Sequence, residues 1–92
     1  MHAWIDRLAE TLGDEPPSET ETTRLLAASR DVAHRVERKM TPLAAFLLGS
    51  AVARSVARGR DRAQALDEVL ADLERLLPPA PAEGEGASDA KA

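Results

Sequence analysis

An all-α fold is what this sequence predicts, on three observations. Apolar residues recur at helical spacing in four separate stretches, each stretch is bounded by capping residues, glycine or proline, and strand signals are missing. Together they predict a compact four-helix bundle over residues 1–77, with helices near 3–12, 19–39, 42–58 and 62–77. The third helix should be central and apolar, and residues 78–92 should form a disordered C-terminal tail.

In the first stretch Trp4, Ile5, Leu8 and Leu12 share one side, with Asp6, Arg7 and Glu10 opposite. Gly13 follows as the expected left-handed terminator. Residues 14–17 contain paired prolines, which resist helix continuation, and read as a linker. Trp4 lies on the same stripe as Leu8 and Leu12, so core packing is the simpler reading than an exposed binding anchor.

The second helix carries a start signal: Ser18 and Glu21 fit a capping box. Leu25, Leu26, Ser29, Val32, Ala33, Val36 and Met40 mark its apolar stripe, which runs to Lys39 or Met40. Arg35, Arg38 and Lys39 would complement the helix dipole at its end. Thr41 then reads as an N-cap and Pro42 as the first helical residue, which makes an antiparallel hairpin with the third helix.

The third helix is apolar nearly all round in its first half, the mark of a buried helix. Leu43, Phe46, Leu47, Leu48 and Val52 are expected in the core, with Val36 and Leu70. Ala45, Gly49, Ala53 and Ala57 recur every fourth residue, so another helix should cross closely at Gly49. Gly59 ends this helix, and Asp61 with Gln64 offers a second capping box. Leu66, Val69, Leu70, Leu73, Leu76 and Leu77 form the last stripe, which Pro78 and Pro79 stop. The tail, small, polar and proline-containing, cannot bury enough apolar surface to offset its ordering entropy.

Composition narrows the function. The 92 residues carry a net charge of −4 and 30% charged side chains of both signs. That balance disfavours nucleic acid, which needs a positive field. Aromatics are few, so base-stacking platforms are not expected. Cysteine is absent, which removes disulfides, thiolate metal sites and cysteine nucleophiles. Met1 leads directly into an amphipathic segment rather than a secretion signal. The longest apolar run, residues 43–48, is far short of the ~20 residues that span a bilayer. A soluble cytoplasmic protein without a membrane contact is expected.

Two polar groupings are candidate sites. On a helical wheel Arg30, His34 and Glu37 form a row along one flank of the second helix, with Arg38 adjacent. Histidine titrates near neutrality, so the row could serve acid–base or anion chemistry. The simpler reading is a row of boundary salt bridges. In it Glu37 ties the second helix to the third through Arg30, His34 or the free N–H groups after Thr41, while His34 stays more exposed. The other grouping is Arg54, Arg58, Arg60 and Arg62 around Gly59, a candidate phosphate site. Local compensation by Glu19 and Glu21, which an antiparallel hairpin brings alongside, is the simpler account. No nucleophile, base and orienter can be assembled, and no glycine-rich phosphate loop occurs. Enzymatic activity, a metal and a cofactor are therefore not expected.

A resemblance adds context. Residues Arg30, Asp31, Val32, Ala33, His34, Val36, Glu37 and Arg38, followed by Pro42, Leu43, Phe46, Leu47 and Gly49, resemble a small bacterial helical domain of unassigned activity. The opening Trp4 and the pair Leu12 and Gly13 are similar too, and the likeness spans roughly residues 4–56. Lys39 and Met40 depart from it, standing where small residues or proline are expected. That domain occurs alone or appended to proteins resembling molybdenum cofactor guanylyltransferases. The resemblance implies an accessory or protein-interaction module in molybdenum cofactor (molybdopterin guanine dinucleotide) biosynthesis, with a nucleotidyltransferase as partner. That is analogy of fold and context. A small-ligand or nucleotide-phosphate binding domain using the arginine cluster is the alternative, and homodimerisation is left open.

Overall fold

The computed structural model describes residues 2–80; the tail expectation for residues 81–92 lies outside them. Four α-helices form, without a strand among the described residues: α1 Ala3–Leu12, α2 Glu19–Arg35, α3 Thr41–Ala57 and α4 Arg62–Leu76. A single 3-10 turn, Arg38–Met40, leads into α3.

Local chemistry sets most boundaries. Gly13 closes α1 at φ +70°, and the Asp14 N–H donates back to the Ala9 carbonyl at 2.8 Å. His2, absent from the expected caps, opens α1 by accepting the Trp4 N–H on Nδ1. The capping box at α2 is complete: Ser18 Oγ accepts the Glu21 N–H at 3.1 Å, and Glu21 Oε1 accepts the Ser18 N–H at 2.9 Å. Asp61 accepts the Gln64 N–H at the start of α4. Gly59, at φ +96°, carries the turn between α3 and α4, where an L side chain would be strained.

The α2–α3 junction departs from expectation. Helix α2 ends at Arg35, not at 39, and Glu37 is extended at φ −168°. Thr41 is the first residue of α3 rather than its side-chain cap. Its N–H donates to the Arg38 carbonyl, so the 3-10 turn satisfies the first N–H of α3, and no side chain caps the helix. The Thr41 hydroxyl oxygen is buried without a hydrogen-bond partner.

Helices α2, α3 and α4 pack on one another, most extensively α3 on α4. Helix α3 turns Ala44, Leu48, Ala51, Val52 and Ser55 inward, all half-buried. Val32 and Ala28 of α2 and Ala65 and Leu66 of α4 are buried, with Leu70 half-buried. The third helix is thus central in its packing yet enclosed on one side only, and none of its residues is buried. Leu43, Phe46 and Leu47, expected in the core, are exposed, and so is Val36. The reason is a shortage of cover. Helix α1 has no Cα within 8 Å of another helix, which leaves α2 and α4 to cover α3 alone. The molecule measures 43 × 28 × 20 Å.

Candidate interaction surface

The two polar groupings come out differently from their wheel positions. Glu37 leaves the helix at the Val36 kink, so the row Arg30, His34, Glu37 is broken. Glu37 reaches Lys39 at 3.5 Å and does not join α2 to α3. Arg30, His34 and Arg38 are exposed, and among the described residues no side-chain hydrogen bond or ion pair engages them. The tie at this end of α2 is Arg35, which wheel reasoning passed over as a dipole partner. Its Nε donates to the Pro78 carbonyl at 2.7 Å and its Nη1 lies 3.4 Å from Glu74, fixing the end of α4 against α2.

Three of the four arginines around Gly59 are engaged. Arg62 grips Glu21 in a bidentate pair, Nη2 to Oε1 at 2.6 Å and Nε to Oε2 at 3.0 Å. It also donates to the carbonyls of Glu15 and Pro16, each at 3.0 Å. One guanidinium therefore joins the starts of α2 and α4 and holds the linker from α1. Glu21 is only 9% exposed, and the Arg62 hydrogen bonds hold its carboxyl down at about 2, against the opposing effect of burial. The same pair raises Arg62 above its usual range. Arg60 pairs with Glu68, and Arg54 donates to Ser50 Oγ at 3.2 Å. Arg58 is exposed. The geometry compensates charge at this corner and leaves no ring of free donors around one anion. Among the described residues no three histidine or acidic side chains come together to hold a metal ion.

The apolar surface is the larger feature. Phe46 is 76% exposed and Leu47 67%, with Leu43 beside them on the outer side of α3. The small-residue ridge Ala45, Gly49, Ala53 and Ala57 faces the same way, and among the described residues no atom beyond Gly49's own helix backbone and chain neighbours lies within 4 Å of where a Gly49 Cβ would stand. The close crossing expected there is not made by any helix among the described residues. Trp4, expected in the core, is 59% exposed on α1, with Leu12 exposed as well. Sequence periodicity found these side chains and assigned them to a core that the chain does not close.

Two further features are partly apolar. An open groove of about 360 Å³ runs between α2 and α4, floored by Ala28, Leu70 and Leu77 and bridged by the Arg24–Asp67 ion pair. The 20-residue segment Arg38–Ala57 contains an 18-residue window of mean hydropathy 1.4, long and apolar enough to cross a membrane by length and composition. Scoring only the run 43–48 concealed that, because alanines and Val52 extend the apolar stretch.

No curated protein and no solved structure matches the chain. A family model matches residues 1–85, nearly its whole length. The chain belongs to the family described as domain of unknown function (DUF6457).

Proposed function

We propose that this domain is a non-enzymatic accessory module that works by protein–protein contact, with the outer side of α3 as its working surface. The observation that carries the reading is Phe46, 76% exposed with Leu43 and Leu47 at its side. Burying a large apolar side chain is worth ~1.5–3 kcal/mol, so leaving three in water on one helix forgoes several kcal/mol that a partner would recover. The likeness of residues 30–49 to a domain appended to guanylyltransferase-like proteins supports molybdenum cofactor nucleotidylation as the setting and a nucleotidyltransferase as partner. The phosphate-binding alternative has less support, because Arg60 and Arg62 already engage Glu68 and Glu21.

The test is calorimetric titration of a molybdenum cofactor guanylyltransferase-like enzyme with the chain and with Phe46→Glu. Binding by the native chain that falls at least ~tenfold in the variant is expected for an apolar anchor. No binding, or binding indifferent to Phe46→Glu, would overturn the reading. Salt-sensitive nucleotide binding lost on Arg58→Ala would favour the alternative.

A further inference from the structure

We propose that the outer side of α3 is covered by α1 of a second copy of this chain, each copy lending its α1 to the other. This rests on the reading of α3 as a protein-contact surface and names the occupant in the free protein.

Three observations converge on that occupant. The first is that both halves of the contact are present and, among the described residues, unpartnered. Helix α1 carries Trp4, Leu8 and Leu12 in one row, all exposed, and no Cα of α1 lies within 8 Å of another helix. Helix α3 carries Leu43, Phe46 and Leu47 beside the flat ridge of Gly49 and Ala53, over which a helix backbone can approach closely. The lengths agree: a 10-residue helix is ~15 Å long, the rise between residues ten apart on α3, from 43 to 53.

The second is charge. Residues 3–15 hold Asp6, Glu10, Asp14 and Glu15 against a single cation, Arg7. Residues 38–60 hold Arg38, Lys39, Arg54, Arg58 and Arg60 and no acid. The two segments therefore attract over a distance; because Asp6 and Glu10 lie opposite the Trp4, Leu8 and Leu12 row, this attraction steers the encounter and leaves the apolar row to make the contact. The same cations would suit an anionic bilayer, but the acidic segment 3–15 would be repelled by one.

The third is area. The six large side chains are 39–76% exposed. At ~200 Å² for a large apolar side chain, that leaves roughly 700 Å² per copy, close to the ~800 Å² each partner buries in a stable complex. A reciprocal exchange covers both patches of both copies with one two-fold arrangement. An enzyme that docks on α3 must then displace the second copy's α1, so enzyme binding and dimer dissociation are linked.

The experiment uses the full chain and two variants, Trp4→Ala and Phe46→Glu, both at exposed positions and checked for native helicity by circular dichroism. Sedimentation over a wide dilution series should show a monomer–dimer equilibrium for the native chain, weakened at least ~tenfold in each variant. Mixing the variants is the decisive arm. In the mixed dimer the intact α1 of Phe46→Glu meets the intact α3 of Trp4→Ala, restoring one complete contact. The mixture should associate more tightly than either variant alone. Trp4 is the only tryptophan, so the Trp4→Ala copy is dark and a blue shift on mixing reports Trp4 docking on α3. A native chain that is monomeric throughout, or a mixture no tighter than its components, overturns the proposal. So does a native chain that binds anionic vesicles through Phe46 in place of dimerising. A monomer whose enzyme binding still depends on Phe46 would overturn the exchange alone and leave the contact function standing.

Discussion

Replacing Glu21 with glutamine isolates the ion pair on which the packed helices most depend. Glutamine keeps an oxygen to accept the Ser18 N–H, so the capping box survives, while the charge and the hydrogen bond from Arg62 Nε are lost. The carboxyl, ordinarily near 4.5, is held at about 2 in the folded chain, with the Arg62 hydrogen bonds as the main cause. A shift of that size corresponds to ~3 kcal/mol, and the exposure remaining on Arg62, 31%, lowers the working figure to ~2–3 kcal/mol. For a domain of this size that is a fall in Tm of about 10–20 °C.

The pH dependence has a definite sign. The folded pKa lies below the unfolded one, so the contribution is complete above about 4.5 and is lost as pH falls toward 2. The difference in unfolding free energy between the native chain and Glu21→Gln should be constant from neutrality down to about pH 5 and shrink steadily below it. Thermal melts followed by circular dichroism across that range measure it. A variant within ~0.5 kcal/mol of the native chain at neutral pH, or a difference unchanged by acid, would refute the assignment of Arg62 as a structural partner.

Two further substitutions test the packing. Thr41→Val should leave stability unchanged or raise it slightly, because the buried hydroxyl oxygen has no partner to lose; a side-chain cap would instead cost ~1 kcal/mol, and the urea midpoint separates the two. Leu66→Ala should cost ~2–4 kcal/mol, whereas Leu76→Ala, at an exposed position, should stay within ~0.5 kcal/mol, both read from urea unfolding.

What was legible in the sequence follows from how local each determinant is. Ser18 with Glu21, Gly13, Gly59 and Asp61 set helix ends within a few residues, and each acts where sequence places it. Compensation of Arg62 by Glu21 was legible from charge and hairpin geometry, whereas Glu19, expected beside it, makes no ion pair among the described residues and Arg60 takes Glu68 instead. The bidentate grip and the hold on the Glu15 and Pro16 carbonyls depend on the distance between α2 and α4 and had no sequence signal. The end of α2 misled because Arg38 and Lys39 suit a helix C-terminus and Met40 keeps the apolar spacing, so nothing local announces the kink at Val36. Burial of α3 was misread for a different reason. Periodicity reports that a face is apolar and wants cover, but not whether the cover belongs to the same chain.

That distinction bears on how this domain is held together. Its buried set is Ala9, Ala28, Val32, Ala65 and Leu66, with the Glu21–Arg62 pair beside it. Three of those five side chains are alanine, which contributes little apolar area, so the enclosed core stabilises the fold weakly. Much of the large apolar surface lies instead on α1 and the outer side of α3. Polar anchoring fills the gap at one corner, where a single guanidinium positions two helix starts and a linker. A fold arranged this way keeps its helices in register through caps and ion pairs while leaving large apolar side chains of α1 and α3 exposed. On the proposed reading a partner completes the core at the exposed face of α3, and covering that face would couple stability to protein concentration.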